Sequence, residues 1–360
     1  MYEIKKTAED FIVEEITPEG EILEVGKEYK FKGGKGKHLV CVLIKKDWDQ
    51  NLVLKKIARN LRISKKRIRY AGMKDKKAIT SQRISIFAIT PEEVEKIRIK
   101  DVKIFPINYS TEGLKLGDLK GNRFTIKVFS DNPPRKIKRI PNFFGIQRFG
   151  DKRATSHLIG KEIIKGNFKK AVEIMLTYYS EKEKPEAREA RKRLAEEKDY
   201  KKALEYFPKY LKFERSMLAH LSKYPNDYVG ALRTLPKMLR IMFVHAYQAY
   251  LFNKFLKKVI ELNLPYEEGP LYGYELNLKN KLEEEILKQE GLTLSQFKVN
   301  SMPEMSTKGK RRKLFIELKD LEIKKENKKE YLVRFSLPKG SYATIVISAL
   351  FGDILDEVIA

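Results

Sequence analysis

The stretch DNPPRKIKRIP, residues 131–141, divides this sequence into two kinds of text. Its paired prolines remove backbone donors and push their neighbours towards extended conformations, so no helix or inner strand runs through it. Before it, FIVEEI (11–16), HLVCVLI (38–44), RISIFAI (83–89), KIFPINY (103–109) and NRFTIKVF (122–129) show the β-branched and aromatic enrichment of strands. Between them NLVLKKIARNL (51–61) repeats apolar residues near i, i+3, i+4, and TPEEVEKI (90–97) opens like a helix, with Thr-Pro and acids. That mixture predicts an α+β domain with a mainly antiparallel sheet. After the divide, residues from about 153 to 263 read as mostly helical. The last of this block, LPKMLRIMFVHAYQAYLFNKFLKKVIELN, is a long apolar segment expected to be a buried helix, stopped by GPLYG (269–273). Then YLVRFSL (331–337) and SYATIVISALFG (341–352) return to the strand-then-helix style of the start. A chain that ends as it began is the pattern of a domain inserted between two halves of another.

Charge is the strongest compositional signal. Lys and Arg number 75 against 49 Asp and Glu, a net +26 in 360 residues. Such a surplus concentrates polyanions and points to nucleic acid. A heat-adapted surface also enriches Lys and Glu, but it accounts for the charge content and not for the imbalance. One cysteine, Cys41, excludes an internal disulfide and a multi-cysteine zinc site, and none of the four histidines stands at HxxxH spacing. No metal is therefore expected. The apolar runs fall well short of the ~20 residues of a membrane span. The start, MYEIKKTAEDFIVEE, lacks a signal-peptide h-region, so the expected location is the cytoplasm.

Several stretches could carry chemistry. GGKGKH (33–38) lacks the spacing of a phosphate-binding P-loop, and no GxGxxG or HxE…PCxxC pattern occurs. An RNA enzyme of this composition needs no cofactor; side-chain carboxylates supply a nucleophile or base. YAGMKDKKAITSQ (70–82) offers Asp75, set after Ala-Gly among Lys74, Lys76 and Lys77, whose charge favours an ionised carboxylate, with Thr80 and Gln82 to position it. Asp75 reads equally well as the N-cap of a short helix over 76–82. NFFGIQRFG (142–150) places phenylalanines beside Asn142, Gln147 and Arg148, groups that stack on and hydrogen-bond an unstacked base. Phenylalanines of this kind also serve as core. The charged run 184–206 has both signs at helical spacing and reads as a solvated helix face.

Taken in order, these stretches resemble the TruD family of tRNA pseudouridine synthases, in its archaeal and eukaryotic branch. IKKTAEDFIVEEI resembles the family's K-x-x-P-E-D-F-x-V-x-E, with Ala8 in the proline's place. GKHLVCVLIKK follows, and YAGMKDKKAITSQ fits the family's [FY]-A-G-x-K-D-x-x-A-x-T-x-Q at every fixed position. LKLGDLKGNRFTIKV, PNFFGIQRFG, AYQAYLFNKFL, STKGKRRKLFI and LPKGSYATIVI complete the series, with Ser348-Ala349 where members often have Arg-Glu. The resemblance implies a discontinuous catalytic pseudouridine-synthase domain, 1–154 and 316–360, interrupted by a largely helical TRUD insertion domain, 155–315. It implies a basic cleft for structured RNA and conversion of uridine to pseudouridine in tRNA, at position 13 of the D-arm, without metal or organic cofactor. Asp75 takes the place of the family's nucleophile, attacking C1′ of the ribose, with C6 of the base the competing site. Lys5 takes the place of a charge partner, and Phe144 and Asn142 those of an aromatic and an amide that hold the target base. With Lys74, Gln82, Gln147 and Arg148 these make up the expected substrate-binding set. The alternative of a different class is an RNA-binding or RNA-folding protein that keeps the fold without turnover.

Overall fold

The structure, a computed structural model, describes residues 2–150 and 152–359. It divides into two compact units, Met1–Ile140 with Glu317–Asp353, and Pro141–Ile316 with Ile354–Ala360. Residues 141–154 and the last residues, which the sequence boundaries leave with the first part, thus pack with the second. Local bonds explain this: Asn142 N–H donates to Leu314 O at 2.7 Å, Gly145 bridges Val358, and Asn253 Nδ2 donates to Ile359 O at 2.9 Å.

The first unit is built on a nine-stranded sheet. In chain order its strands are β1 (Tyr2–Ile4), β2 (Phe11–Ile16), β3 (His38–Lys46), β4 (Ile68–Tyr70), β5 (Ile79–Phe87), β6 (Val102–Ser110) and β7 (Gly121–Ser130), then Lys319–Asn327 and Glu330–Pro338. Across the sheet the order is Lys319–Asn327, Glu330–Pro338, β7, β2, β5, β3, β6, with β1 beside β7 and β4 beside β5. Every join is antiparallel except β2 with β5, which run parallel with Val13 opposite Thr80. The mainly antiparallel sheet read from the sequence is the one that forms.

Strand β3 is apolar over residues 39–44, where both its faces are covered, and turns polar at the buried Lys45. Leu39, Cys41 and Leu43 pack on Val53, Leu54, Ile57 and Ala58 of α1 (Gln50–Asn60), while Val42 and Ile44 pack on Leu23. Each such side chain contributes about 1.5–3 kcal/mol on burial, and burial pushes the Cys41 thiol far up. Asp49 caps α1, accepting from Leu52 N–H at 3.0 Å. The short helix α2 (Pro91–Glu95) opens with a reciprocal capping box between Thr90 and Glu93.

Strand β5 starts at Ile79, four residues earlier than the sequence suggests, and no helix forms over 76–82. The β-branched Ile79 and Thr80 instead pair with Ile12 and Val13 of β2. The N-cap alternative for Asp75 is therefore overturned. The outer strand Lys319–Asn327 is exposed along most of its length and rich in charge, which protects the sheet edge.

In the second unit helices dominate. The expected buried segment is one 25-residue helix, Lys237–Glu261, against which α3 (Ser156–Ile164) lies. A Cβ on Gly160 would stand 2.0 Å from Phe243 O, so only glycine allows this close approach. Nearby, Glu290 is buried and accepts from Lys161 Nζ at 2.6 Å, Lys254 Nζ at 2.7 Å and Tyr247 Oη at 3.0 Å. Burial alone would raise its pKa, yet these three donors hold the carboxyl down at about 2. A two-stranded ribbon, Glu268–Leu271 with Lys310–Lys313, completes the unit's frame.

Candidate active site

The loop 71–78 joins β4 to β5 and carries Asp75. Side chains from three elements hold its backbone. Gln50, the first residue of α1, donates from Nε2 to Gly72 O at 3.2 Å and accepts from Lys74 N–H at 2.8 Å. Gln82 on β5 donates to the same Gly72 oxygen at 3.3 Å. Lys45, fully buried near the end of β3, donates from Nζ to Asp75 O at 2.6 Å. A carbonyl held by an ammonium cannot turn without losing a charge-assisted bond, so the residue that carries the carboxylate is fixed from beneath.

The carboxylate itself meets Lys5. Lys5 Nζ lies 2.7 Å from Asp75 Oδ1, with the Asp75 side chain 33% exposed and that of Lys5 19%. Lys5 has φ +58°, a left-handed conformation that costs a lysine on the order of 1 kcal/mol or more, and its Nζ also sits 3.8 Å from the centre of the Phe11 ring. The ion pair and the ring offset that strain.

Lys74 faces the other way. Its side chain is buried, hydrogen-bonded to Asn122 Oδ1 and 3.6 Å from Glu15 Oε2. Glu15 is fully buried and also receives Arg83 Nε at 3.0 Å. Four cations, Lys5, Lys45, Lys74 and Arg83, thus surround two carboxylates, Asp75 and Glu15. Burial lowers the pKa of Lys74, against the pull of Glu15, and lowers that of Lys45 to about 8, against the pull of Asp75. Chemically, the loop offers a part-exposed carboxylate, one oxygen oriented, in a basic surround suited to a polyanion.

Of the expected residues, Lys5 and Asp75 touch, whereas Lys74 and Gln82 are turned into the protein. Both belong to the expected substrate-binding set; here Lys74 Nζ is engaged by Glu15 and Asn122 and Gln82 Nε2 by Gly72 O, while Gln82 Oε1 is buried with no hydrogen-bond partner among the described residues. Lys45, Gln50, Glu15 and Arg83 join the site without having been picked out from the sequence.

The remaining expected residues lie together in the second unit. Asn142 donates from Nδ2 to Lys313 O at 2.9 Å and accepts Arg312 Nη2 on Oδ1 at 2.6 Å. Asn253 from the long helix brackets Phe144, accepting from its N–H and donating to its carbonyl, both at 2.9 Å. The Phe144 ring is buried, edge-on to Phe252 at 5.5 Å, with the Arg312 guanidinium 4.1 Å from its centre. Arg148 lies 5.8 Å from the same ring, and Gln147 is exposed on the turn Ile146–Arg148. Burial, reinforced by Arg148 and Lys310, lowers the pKa of His245 to about 4. Asn142, Phe144 and Arg312 make a platform in which a cation lies over an aromatic face. Among the described residues no group of three or more His, Cys, Asp or Glu could hold a metal ion, and no helix is long and apolar enough to cross a membrane.

These two clusters fall on stretches that one family model reads from end to end: that of tRNA pseudouridine synthase D (TruD) matches residues 2–269 and 266–350. The chain belongs to the TruD family. A probable tRNA pseudouridine synthase D of Methanopyrus kandleri is 39% identical over 347 residues, covering 89% of this chain and 87% of the relative. One from Methanosarcina mazei is 35% identical over 413 residues, covering 96% and 92%. The crystal structure of the putative tRNA pseudouridine synthase D (TruD) from Methanosarcina mazei superposes with a TM-score of 0.73 at 34% identity, covering 96% of this chain and 92% of that one. The TruD fold therefore extends over both units of the chain.

Proposed function

We propose that this TruD-family chain converts uridine to pseudouridine in tRNA, at position 13 of the D-arm, with Asp75 as nucleophile and no cofactor. In this reading the first unit is the catalytic domain and the second the family's insertion domain. The observation that carries the reading is the Asp75 carboxylate, a third exposed, with Oδ1 oriented by Lys5 and its backbone carbonyl held by Lys45. A carboxylate so fixed can form a bond from oxygen to C1′ of the ribose as the N-glycosidic bond breaks and its electron pair leaves with the uracil. The freed ring turns, C5 bonds to C1′, and the ester to Asp75 breaks to return the carboxylate. C5 gives up one proton and N1 gains one, so the isomerisation consumes nothing. The target nucleotide must leave its stack to be reached.

The test is pseudouridine formation by the purified protein on a tRNA transcript, read by chemical derivatisation and mapping. Wild-type protein should convert uridine 13, and a transcript with cytidine at that position should gain no pseudouridine. Asp75→Ala should keep the fold and tRNA binding and lose conversion. Turnover by Asp75→Ala would remove the nucleophile assignment. Salt-dependent tRNA binding by wild-type protein with every uridine unchanged would replace the reading with that of an RNA-binding protein.

A further inference from the structure

Residues 51–74 hold nine Lys or Arg and no Asp or Glu. The chain's overall share of acids, 49 in 360, would put about three in a stretch of that length. The fold sorts these nine cations. Lys74 is buried on Glu15, Arg67 donates to Phe87 O and Ala88 O, and Lys65 Nζ bonds Asn51 Oδ1 at 2.6 Å. The other six, Lys55, Lys56, Arg59, Arg62, Lys66 and Arg69, are exposed. Among the described residues none of the six has a carboxylate within ion-pairing distance. Elsewhere some surface cations are paired, Lys46 with Glu9, Lys115 with Glu112, Lys308 with Glu275 and Lys329 with Asp131, and what sets this run apart is its lack of acids.

Their placement is specific. Val53, Leu54, Ile57 and Ala58 bury one face of α1, which turns Lys55, Lys56 and Arg59 outward. The Lys65–Asn51 bond folds the turn that carries Lys66 back beside the first turn of the helix. Gln50, at that same helix start, is the residue that holds Gly72 and Lys74 of the Asp75 loop. Exposed Lys76 and Lys77 continue the cationic surface past the carboxylate. The patch is thus fastened to the loop it would serve.

We propose that the outer face of α1 and the turn after it form a phosphate rail, which docks the backbone of a structured RNA and leads its target nucleotide to Asp75. This rests on the tRNA-modifying reading above. Contacts of this kind set position and affinity, not sequence choice. The experiment compares tRNA binding at several salt concentrations for wild type and for K55Q/K56Q/R59Q/R62Q. A control, K319Q/K324Q/K325Q/K328Q, removes the same charge from the exposed edge strand and the turn that follows it. Each lost phosphate contact lowers the salt slope by about 0.7–0.9. The rail variant, with four contacts removed, should lose about 3 from the slope, bind tRNA at least about tenfold more weakly at 0.15 M salt, and raise KM with kcat unchanged. The control should match wild type. A rail variant with the wild-type slope, or a control that loses as much, overturns the proposal. Because binding is measured directly, the rail is judged even if wild-type protein makes no pseudouridine, in which case only the functional reading falls.

Discussion

Replacing Lys45 by methionine should separate stability from activity in a pH-dependent way. The Nζ is fully buried, and burial brings its pKa from 10.5 to about 8 in the folded protein. The unfolded chain therefore binds more protons than the folded one between pH 8 and 10.5, so wild-type stability rises with pH across that window. Below pH 8 the buried charge costs the full difference, about 3 kcal/mol; by pH 9.5 about 1.5 kcal/mol remains. Lys45→Met carries no such cost. Other titrating groups are shared and cancel in the comparison. The stability of the variant relative to wild type should thus fall by about 2 kcal/mol between pH 7 and pH 9.5, whatever constant offset the lost bond to Asp75 O adds. Urea unfolding of both proteins at the two pH values measures this. Pseudouridine formation should drop by about ten- to a hundredfold in the variant, because the backbone under the carboxylate is no longer held. Parallel stability profiles would show that the ammonium is not destabilised by burial, and unchanged activity would show that its grip on Asp75 is irrelevant to turnover.

Glu15→Gln should cost about 3–5 kcal/mol in urea unfolding, because it leaves Lys74 and Arg83 in the interior without their shared carboxylate. Glu290→Gln tests the opposite linkage sign: its carboxyl is held down at about 2 in the folded state, so its contribution is present above about pH 4.5 and is lost as pH falls towards 2. The variant should be about 2–3 kcal/mol less stable at pH 7, with the gap closing on acidification. Gly160→Ala should lower stability by about 2–4 kcal/mol, since its Cβ cannot be accommodated against Phe243 O; a wild-type melting temperature would mean that α3 can move off the long helix.

Much of the fold was legible because its signals are local. The strand HLVCVLI is apolar after His38, as a strand covered on both faces must be. The long apolar segment after Pro236 has the length and composition of one buried helix, and forms it. The start of β5 was not legible, because Ile79 and Thr80 are recruited by pairing with β2, some 67 residues earlier in the chain. The packing of the chain from residue 141 with the second unit has a distant origin too: Asn142 is held by Leu314 and Lys313, and nothing nearby in the sequence announces that bond.

The site shows where reading by neighbourhood fails and reading by parity would have succeeded. Lys74, Lys76 and Lys77 flank Asp75 in sequence, yet the cations that hold it are Lys5 and Lys45. A loop residue and its neighbours point in different directions, so adjacency says little about which charge meets which. Strands are stricter, because alternate residues share a face. In β3 the row Leu39, Cys41, Leu43 runs on to Lys45, and in β2 the row Phe11, Val13 runs on to Glu15; all of these are buried. In β5 the row Ile86, Ile84 runs on to Gln82 and Thr80. The register sets Thr80 beside both Val13 and Lys45, so β3 and β5 turn polar side by side near the loop that carries Asp75, while in β2 the change comes further along, at Glu15. A buried charge in an otherwise apolar row must be paired or hydrogen-bonded to be tolerated. Here the partners are the Asp75 carbonyl for Lys45 and the Lys74–Arg83 pair for Glu15. Lys45 and the Gln82 amide thus find their hydrogen-bond acceptors on the loop and Glu15 finds Lys74 there, which is why that loop is fixed although it has no regular structure of its own.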